Sequence, residues 1–387
     1  MEICSLNDVQ KIFSDMVRST FVGTPWPAID QISAHQDALF NCIHEHGLTP
    51  TLLHHLAPDN LRSLPEALKG SLLSDAKQEA VREYELMAEF RELARSFAEC
   101  KINVILFKGT ALSLQLYKIN GHRPRGDTDL FVSCSDFVRC HQMLLDHGYT
   151  HQSPEAGALV ISSGIYTKSG RFGVIHEIDL HRSITSTHHP YRDYMSFDTV
   201  WQQSECLDAL PENVRVPGAK HAFLHACFHA AQHYSHMGNR LLWLYDIHLL
   251  LGVLSAADLR TIWRDAKQLQ LGSVVAFYLN ETVFWFGSAI SVDQLAEVNI
   301  FGGDASLALL EQDISLGRAN RVLLNLDNID GAWGKFKFLW QRLFPPSNVL
   351  LNDGEGRWLL PLRYAQRLAM AFQMLLEKLT SDRSESK

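Results

Sequence analysis

Residues 104–132 read VILFKGTALSLQLYKINGHRPRGDTDLFV, and this stretch decides the fold. An apolar run from Ile102 to Phe107 precedes a Lys-Gly-Thr turn, so we expect a buried strand followed by a helix. The stretch closes on Asp127 to Val132, which predicts a second strand. Because successive side chains of a strand point to opposite faces, Asp127 and Asp129 share one face.

A third carboxylate follows on a later strand. The segment from Arg171 to Ile184 is expected to be extended, with Asp179 and His181 on one face. Two carboxylates side by side repel each other, so a fold keeps them where a cation lies between them or where the face is wet. Mg²⁺ prefers oxygen ligands and usually binds one or two carboxylates together with substrate phosphates. With Asp127, Asp129 and Asp179 the chain offers ligands for a two-ion Mg²⁺ site, with Mn²⁺ as the alternative.

The turn Lys108-Gly109-Thr110 suits a phosphate group. Glycine lets the backbone approach closely, and a helix that starts there presents free N–H groups and the positive end of its dipole. Lys108, Arg123 and Arg125 can neutralise phosphate charge, and arginine can do so through two parallel hydrogen bonds. An ordinary surface lysine and a solvated turn are the alternatives for these three residues.

The composition is that of a globular protein. The chain has 387 residues, of which 46% are hydrophobic and 20% charged, and is long enough to bury a sizeable core. The net charge of −8 disfavours extended nucleic-acid binding, although a tRNA end needs only a local basic patch. We expect a cytoplasmic protein, because no signal peptide or membrane-spanning run is visible and the seven cysteines are scattered without a Cys-x-x-Cys pair.

Three regions are expected along the chain. Residues 1–101 read as helices, among them a long one from Ser74 to Cys100. Residues 102–190 carry short strands and helices and predict a compact α/β core. The helical pattern resumes at residue 191 and continues through residue 387. The predicted fold class is therefore α+β, a small mixed α/β core flanked by N-terminal and C-terminal helical regions.

These motifs resemble a known family. Gly109-Thr110, the Asp127-Thr128-Asp129 strand and the distant Asp179 are similar to the nucleotidyltransferase fold of the DNA polymerase β superfamily, which more often has Ser or Gly at the position of Thr110. More narrowly, Phe107-Lys108-Gly109, residues 123–132 and Ile178-Asp179-Leu180-His181 resemble the uncharacterised bacterial nucleotidyltransferase family, in which a Lys-Gly turn replaces the usual glycine pair. The resemblance covers most of the chain.

The resemblance implies transfer of a nucleoside monophosphate from an NTP, ATP among them, with Mg²⁺. Asp127, Asp129 and Asp179 would be the catalytic carboxylates. Asp127 and Asp129 would be metal ligands, and Asp179 would be the third ligand or the base for the acceptor. The nucleotide-binding residues would be Lys108, Gly109, Thr110, Arg123 and Arg125. His181 would hydrogen-bond a carboxylate, and His229 would contact substrate if it lies near the aspartates. The acceptor stays open among a small molecule, a peptide or protein, and a tRNA end.

A row of histidines supports a different hypothesis. His221, His225, His229 and His233 recur every four residues and share one face of a predicted helix. A pair at this spacing can bind zinc, which would make the protein a metallohydrolase centred on His225 and His229. No Glu follows the first His of any pair, so structural histidines are the favoured interpretation. A catalytically inactive nucleotide-binding or scaffold protein that keeps the fold is the third hypothesis.

Overall fold

The computed structural model describes residues 2–119, 121–152, 163–184, 190–237, 240–290, 332–344 and 359–369. The helices in this part of the chain are α1 Glu2–Val22, α2 Ile29–Ala34, α3 Gln36–Glu45, α4 Thr49–His55, α5 Pro58–Ser63, α6 Glu66–Glu99, α7 Lys108–Leu116, α8 Phe137–Asp146, α9 Pro190–Tyr194, α10 Phe197–Gln202, α11 Ala219–Met237, α12 Leu241–Val253, α13 Ala256–Gln268, α14 Gly272–Phe286 and α15 Ala332–Leu343. The strands are β1 Val104–Phe107, β2 Thr128–Val132, β3 Thr150–His151, β4 Ser163–Ser169, β5 Ile175–His181, β6 Glu205–Cys206 and β7 Val214–Val216.

The strands form one mixed sheet in the order β3-β4-β5-β2-β1-β7-β6. At its centre β2 pairs antiparallel with β1 and parallel with β5. Helices flank this sheet, so the predicted α+β class is confirmed. The expectation of helix alone after residue 190 is wrong, because β7 pairs with the far edge of β1 and β6 pairs with β7. Both strands are too short to show a period in the sequence.

The two faces of the sheet bury different hydrophobic clusters. Leu106 and Leu130 belong to a cluster that includes residues of α6 and α8. Phe107 and Phe131 belong to a second cluster with α11, α12 and the N-terminal helices. Side chains alternate along β2, so Asp129 shares the face of Phe131. The carboxylate of Asp129 is thereby directed towards the side of the sheet that α11 and α12 cover.

Two predicted elements have other bounds in the structure. The long helix of the N-terminal region differs, because it begins at Glu66 rather than Ser74, directly after Pro65. Proline before the first turn suits a helix start, since its missing N–H is not needed there. The strand predicted from Arg171 is also shorter, because a 3₁₀ turn at Arg171–Gly173 precedes β5.

Some predicted elements lie outside the described residues. They are the strand at Leu159 to Ile161 and part of the helix at Arg357 to Leu379. Among the helices that are described, none is long and apolar enough to cross a membrane.

Candidate active site

The strand register brings two of the predicted carboxylates together. Asp129 on β2 lies directly opposite Asp179 on the parallel strand β5. Nε2 of His181 lies 2.9 Å from Oδ1 of Asp129 and 2.9 Å from Oδ2 of Asp179. Ligand atoms from these three residues all fall within 4.8 Å of one another, which is close enough for one metal ion. His181, predicted to hydrogen-bond a carboxylate, therefore bridges two of them.

Lys108 joins this group from the other side. Its Nζ lies 2.5 Å from Oδ1 of Asp129, although its backbone adopts a left-handed φ of 48° at the first position of α7. A left-handed lysine costs of the order of 1–2 kcal/mol, and such strain is characteristic of functional sites. Phe107 pairs in register with Asp129, so the residue that follows it is held next to that carboxylate.

Charge balance keeps the buried Asp129 ionised. Burial alone would raise the pKa of Asp129, but the ammonium of Lys108 and the hydrogen bond from His181 lower it below its ordinary value. Burial likewise opposes the charge of His181, yet its hydrogen bonds to Asp129 and Asp179 raise its pKa to about 9. Burial and then the neighbouring Asp129 raise the pKa of Asp127, against the opposing charge of Lys108.

A cavity of about 640 Å³ opens over these residues. Asp127, Asp129 and Asp179 line it, and Glu177 from β5 adds a fourth carboxylate that the sequence analysis did not select. This volume lies within the range of small-molecule sites, about 300–1,000 Å³. Oδ1 of Asp179 is buried and has no hydrogen-bond partner among the described residues.

Arg123 and Gly109 both line the cavity, but Arg123 is committed to an ion pair. It donates two hydrogen bonds to Asp246 of α12, from Nε at 2.8 Å and Nη2 at 2.6 Å, and Tyr117 donates a third at 2.8 Å. Its Nη1 would lie 2.6 Å from a Cβ added at Gly109. The glycine therefore makes room for the arginine side chain, in addition to any room that it leaves for a ligand.

Arg125 is likewise held by the protein. Its Nε donates to Glu83 of α6 at 2.8 Å, and its Nη1 donates to Oγ1 of Thr110 at 3.0 Å and Oγ1 of Thr128 at 2.5 Å. Thr110 is buried and is not among the residues that line the cavity. The structure thus gives Arg125 and Thr110 a part in fixing the turn before β2.

The histidines of α11 divide into two groups. His225, His229 and His233 line the cavity, whereas His221 does not and packs on the ring of Tyr194 at 4.7 Å. Burial, and then the nearby charge of Lys108, lower the pKa of His225 to about 3 and that of His229 well below 6.5. These imidazoles are therefore neutral at pH 7.

The zinc hypothesis finds no support in the described part of the chain. The group there that can hold a metal consists of Asp129, Asp179 and His181, without any α11 histidine. Nδ1 of His225 instead lies 2.9 Å from the hydroxyl of Tyr191. His229 packs against Trp243 with ring centroids 5.0 Å apart, in the cavity wall.

Sequence reasoning missed several residues of this cavity. Arg82 comes from α6, and Arg240 and Trp243 come from the start of α12. Arg82 belongs to a charged helix face that reads as solvated, so no local pattern marks it. Arg240 and Trp243 are positioned at the cavity by the start of α12. The backbone N–H groups of Leu241 and Leu242 donate hydrogen bonds there to His46, which is far away in sequence.

Comparison with known proteins agrees with a nucleotidyltransferase. Residues 33–287 match the model of a family described as uncharacterised nucleotidyltransferase, and the chain belongs to that family. Predicted membership of an uncharacterised nucleotidyltransferase family is thereby confirmed, while the bacterial origin and the motifs quoted for it stay predictions. No curated protein matches the chain. Among solved structures, the chain is similar to an antigenic nucleotidyltransferase-like protein from Paracoccidioides brasiliensis, with 14% identity and a TM-score of 0.31 over 49% of this chain and 92% of that one.

Proposed function

We propose that this protein transfers a nucleoside monophosphate from an NTP to an acceptor hydroxyl or phosphate, with Mg²⁺ or Mn²⁺ bound by Asp129 and Asp179. The observation that carries the proposal is the cluster of Asp129, Asp179 and His181, whose two carboxylates line a cavity, in a chain of the nucleotidyltransferase family. Asp127 lines the same cavity and supplies a further carboxylate for a second ion.

The residues present fit a metal ion. Oδ1 of Asp179 is buried without a partner among the described residues, and a buried carboxylate oxygen left in this state is costly. Two carboxylates suit Mg²⁺ and Mn²⁺ alike, because both ions accept carboxylate oxygens. A bound ion of this kind supplies Lewis-acid stabilisation of the phosphate charge and activates the acceptor.

The reaction follows from what the cavity can hold. The acceptor oxygen forms a bond to the α-phosphorus, the bond from that phosphorus to the bridging oxygen of the β-phosphate breaks, and pyrophosphate leaves. The hydroxyl proton passes to a carboxylate of the cavity. Lys108 keeps its charge next to Asp129, because the carboxylates of Asp129 and Asp179 raise its pKa against the effect of burial. Its ammonium can therefore face the negative charge that develops during transfer.

Neutral aromatic side chains also line the cavity. Trp243 and the uncharged His229 pack edge to face there, and a ring of either can accept a base or the apolar part of an acceptor without adding charge. His229 does lie in the same cavity as the aspartates, which was the condition for a substrate contact. We therefore propose it as a contact residue.

The test is a transfer assay with each labelled NTP, Mg²⁺ or Mn²⁺, and a panel of acceptors that includes small hydroxyl compounds, peptides and tRNA. We expect metal-dependent release of pyrophosphate, lost on Asp179→Asn and on Asp129→Asn. Asp208→Asn is the control, because Asp208 is exposed and outside the cavity. Full turnover by Asp179→Asn would reject the assignment, and nucleotide binding without transfer to any acceptor would favour the inactive, nucleotide-binding hypothesis.

A further inference from the structure

Two arginines that line the cavity lack an acidic partner among the described residues. Arg82 lies on α6 and Arg240 immediately precedes α12, and both line the same cavity as Asp127 and Asp129. Neither forms an ion pair within 4.0 Å with any described carboxylate, in contrast to Arg123 with Asp246. The Nε atoms of both are buried and have no hydrogen-bond partner among the described residues.

Arg240 is held in place without being neutralised. A Cβ added at Gly47, whose φ is +69°, would lie 3.1 Å from Nη2 of Arg240, so the glycine leaves space for the guanidinium. Its Cζ also lies 5.9 Å from the ring centroid of Trp243. Burial and then the charge of Arg123 lower the pKa of Arg240, against the opposing effects of Asp246, Glu79 and Asp127.

Arg82 is tied to the loop that carries the carboxylates. Its Nη2 donates to the carbonyl oxygen of Gly126 at 3.3 Å, one residue before Asp127. Glu79, one turn earlier on α6, is within electrostatic range of both arginines, yet no ion pair joins it to either among the described residues. Both side chains are half-buried, and a partly desolvated guanidinium without a carboxylate favours an anion that reaches it.

We propose that Arg82 and Arg240 bind the β- and γ-phosphates of the triphosphate donor. The inference rests on the proposed function and assigns to these two residues the role that the sequence pattern suggested for Arg123 and Arg125. Asp246 and Glu83 already engage Arg123 and Arg125 in the protein. Arginine suits a polyphosphate because its planar fork donates two parallel hydrogen bonds.

The experiment measures binding of inorganic tripolyphosphate and orthophosphate by calorimetry in the presence of Mg²⁺, because these probes carry no base or acceptor. Wild-type protein is expected to bind tripolyphosphate, and Arg240→Gln and Arg82→Gln are each expected to weaken that binding at least tenfold. Arg240→Lys keeps the charge and is expected to fall between Arg240→Gln and wild type. Arg264→Gln is the matched control, since Arg264 is 67% exposed and outside the cavity.

The outcomes separate this inference from the proposed function. Unchanged tripolyphosphate affinity in both Gln variants overturns the inference, whereas pyrophosphate release in the transfer assay still decides the function on its own. Absence of binding to wild-type protein also overturns the inference. Circular dichroism and the melting temperature of each variant are compared with wild type, and Arg240→Lys decides if either Gln variant unfolds. An affinity of Arg240→Lys for tripolyphosphate that is close to that of wild type supports the phosphate contact. An affinity no stronger than background contradicts it.

Discussion

Arg123 and Asp246 form a buried, two-pronged ion pair that fastens the loop before β2 to helix α12. The two side chains are 6% and 2% exposed, and Nη2 of Arg123 lies 2.6 Å from Oδ2 of Asp246. The loop carries the candidate metal ligand Asp127, and α12 carries part of the cavity wall. This pair therefore connects the sheet of the active site to the helical part of the chain.

Asp246→Ala is expected to destabilise the protein strongly. It leaves the Arg123 guanidinium buried without a counter-charge, and loss of one partner of a buried pair costs about 3–5 kcal/mol. The free energy of unfolding in urea checks this. Asp59→Ala is the control, because its pair with Arg62 is exposed and contributes little. The double variant Arg123→Leu/Asp246→Leu is expected to lose less than Asp246→Ala, and an equal or larger loss would contradict the explanation.

Gly109→Ala is expected to disturb the same pair from the other side. The added Cβ would lie 2.6 Å from Nη1 of Arg123, so the guanidinium must shift away from Asp246, at a cost of about 1–3 kcal/mol. Gly126→Ala provides the control in the loop that carries Arg123, because its added Cβ meets nothing within 4 Å. Thermal unfolding of both variants measures the difference. Equal melting temperatures would show that Arg123 does not require the glycine.

Stability is expected to fall as the pH drops from about 6.5 to about 4. The pKa values of His221 and His225 are lowered from 6.5 to about 4 and about 3, because burial disfavours their charged forms. The unfolded chain then takes up protons that the folded chain does not, at about 1.4 kcal/mol per pH unit for each histidine. Above pH 6.5 both histidines are neutral in the folded and in the unfolded chain, so their contribution to stability does not change with pH.

Urea unfolding of wild type and His225→Gln between pH 4 and pH 8 tests the assignment. The variant is expected to be less stable near pH 7, where it loses the hydrogen bond to Tyr191, and to show a shallower decline in acid. An identical slope in both proteins would show that His225 is not the group responsible.

The turn between β4 and β5 contains a strained residue. Phe172 has a φ of 52° and is 78% exposed, so it bears the left-handed conformation with little packing in return. Phe172→Gly is expected to be neutral or to stabilise the protein by up to about 1 kcal/mol, since the relieved strain exceeds the added chain entropy. At its neighbour Gly173, which also has a left-handed φ, of 74°, a side chain would add strain rather than relieve it, although the space around the residue is open. Gly173→Ala should destabilise, and the melting temperatures of the two variants should move in opposite directions.

The sequence predicts the carboxylates of this site better than the basic residues. Asp129 and Asp179 lie in apolar runs whose alternation fixes their faces, and pairing of the two strands then places them together. Arg123 was recognisable as a conspicuous charge, but its partner Asp246 lies 123 residues away and leaves no local pattern. Arg82 shares a helix with many solvated charges, and only the tertiary fold brings it to the cavity.

The same limit applies to the fold. Strand β1 was readable because it is apolar along its length, β2 because it ends in the apolar run Leu130-Phe131-Val132, and α13 because its apolar positions recur at helical spacing. Strand β7 has three residues, and its place beside β1 depends on the long connection that leads to it. The role of Gly109 also required the structure, because the side chain that crosses it comes from Arg123.

Binding of Mn²⁺ followed by electron paramagnetic resonance tests the central claim most directly, because it needs neither the acceptor nor the base to be known. Wild-type protein is expected to bind Mn²⁺, Mg²⁺ to compete for the site, and Asp179→Asn to weaken binding about tenfold or more. Asp208→Asn, exposed and outside the cavity, is expected to bind as wild type does. Unchanged Mn²⁺ affinity in Asp179→Asn would contradict a metal site between Asp129 and Asp179.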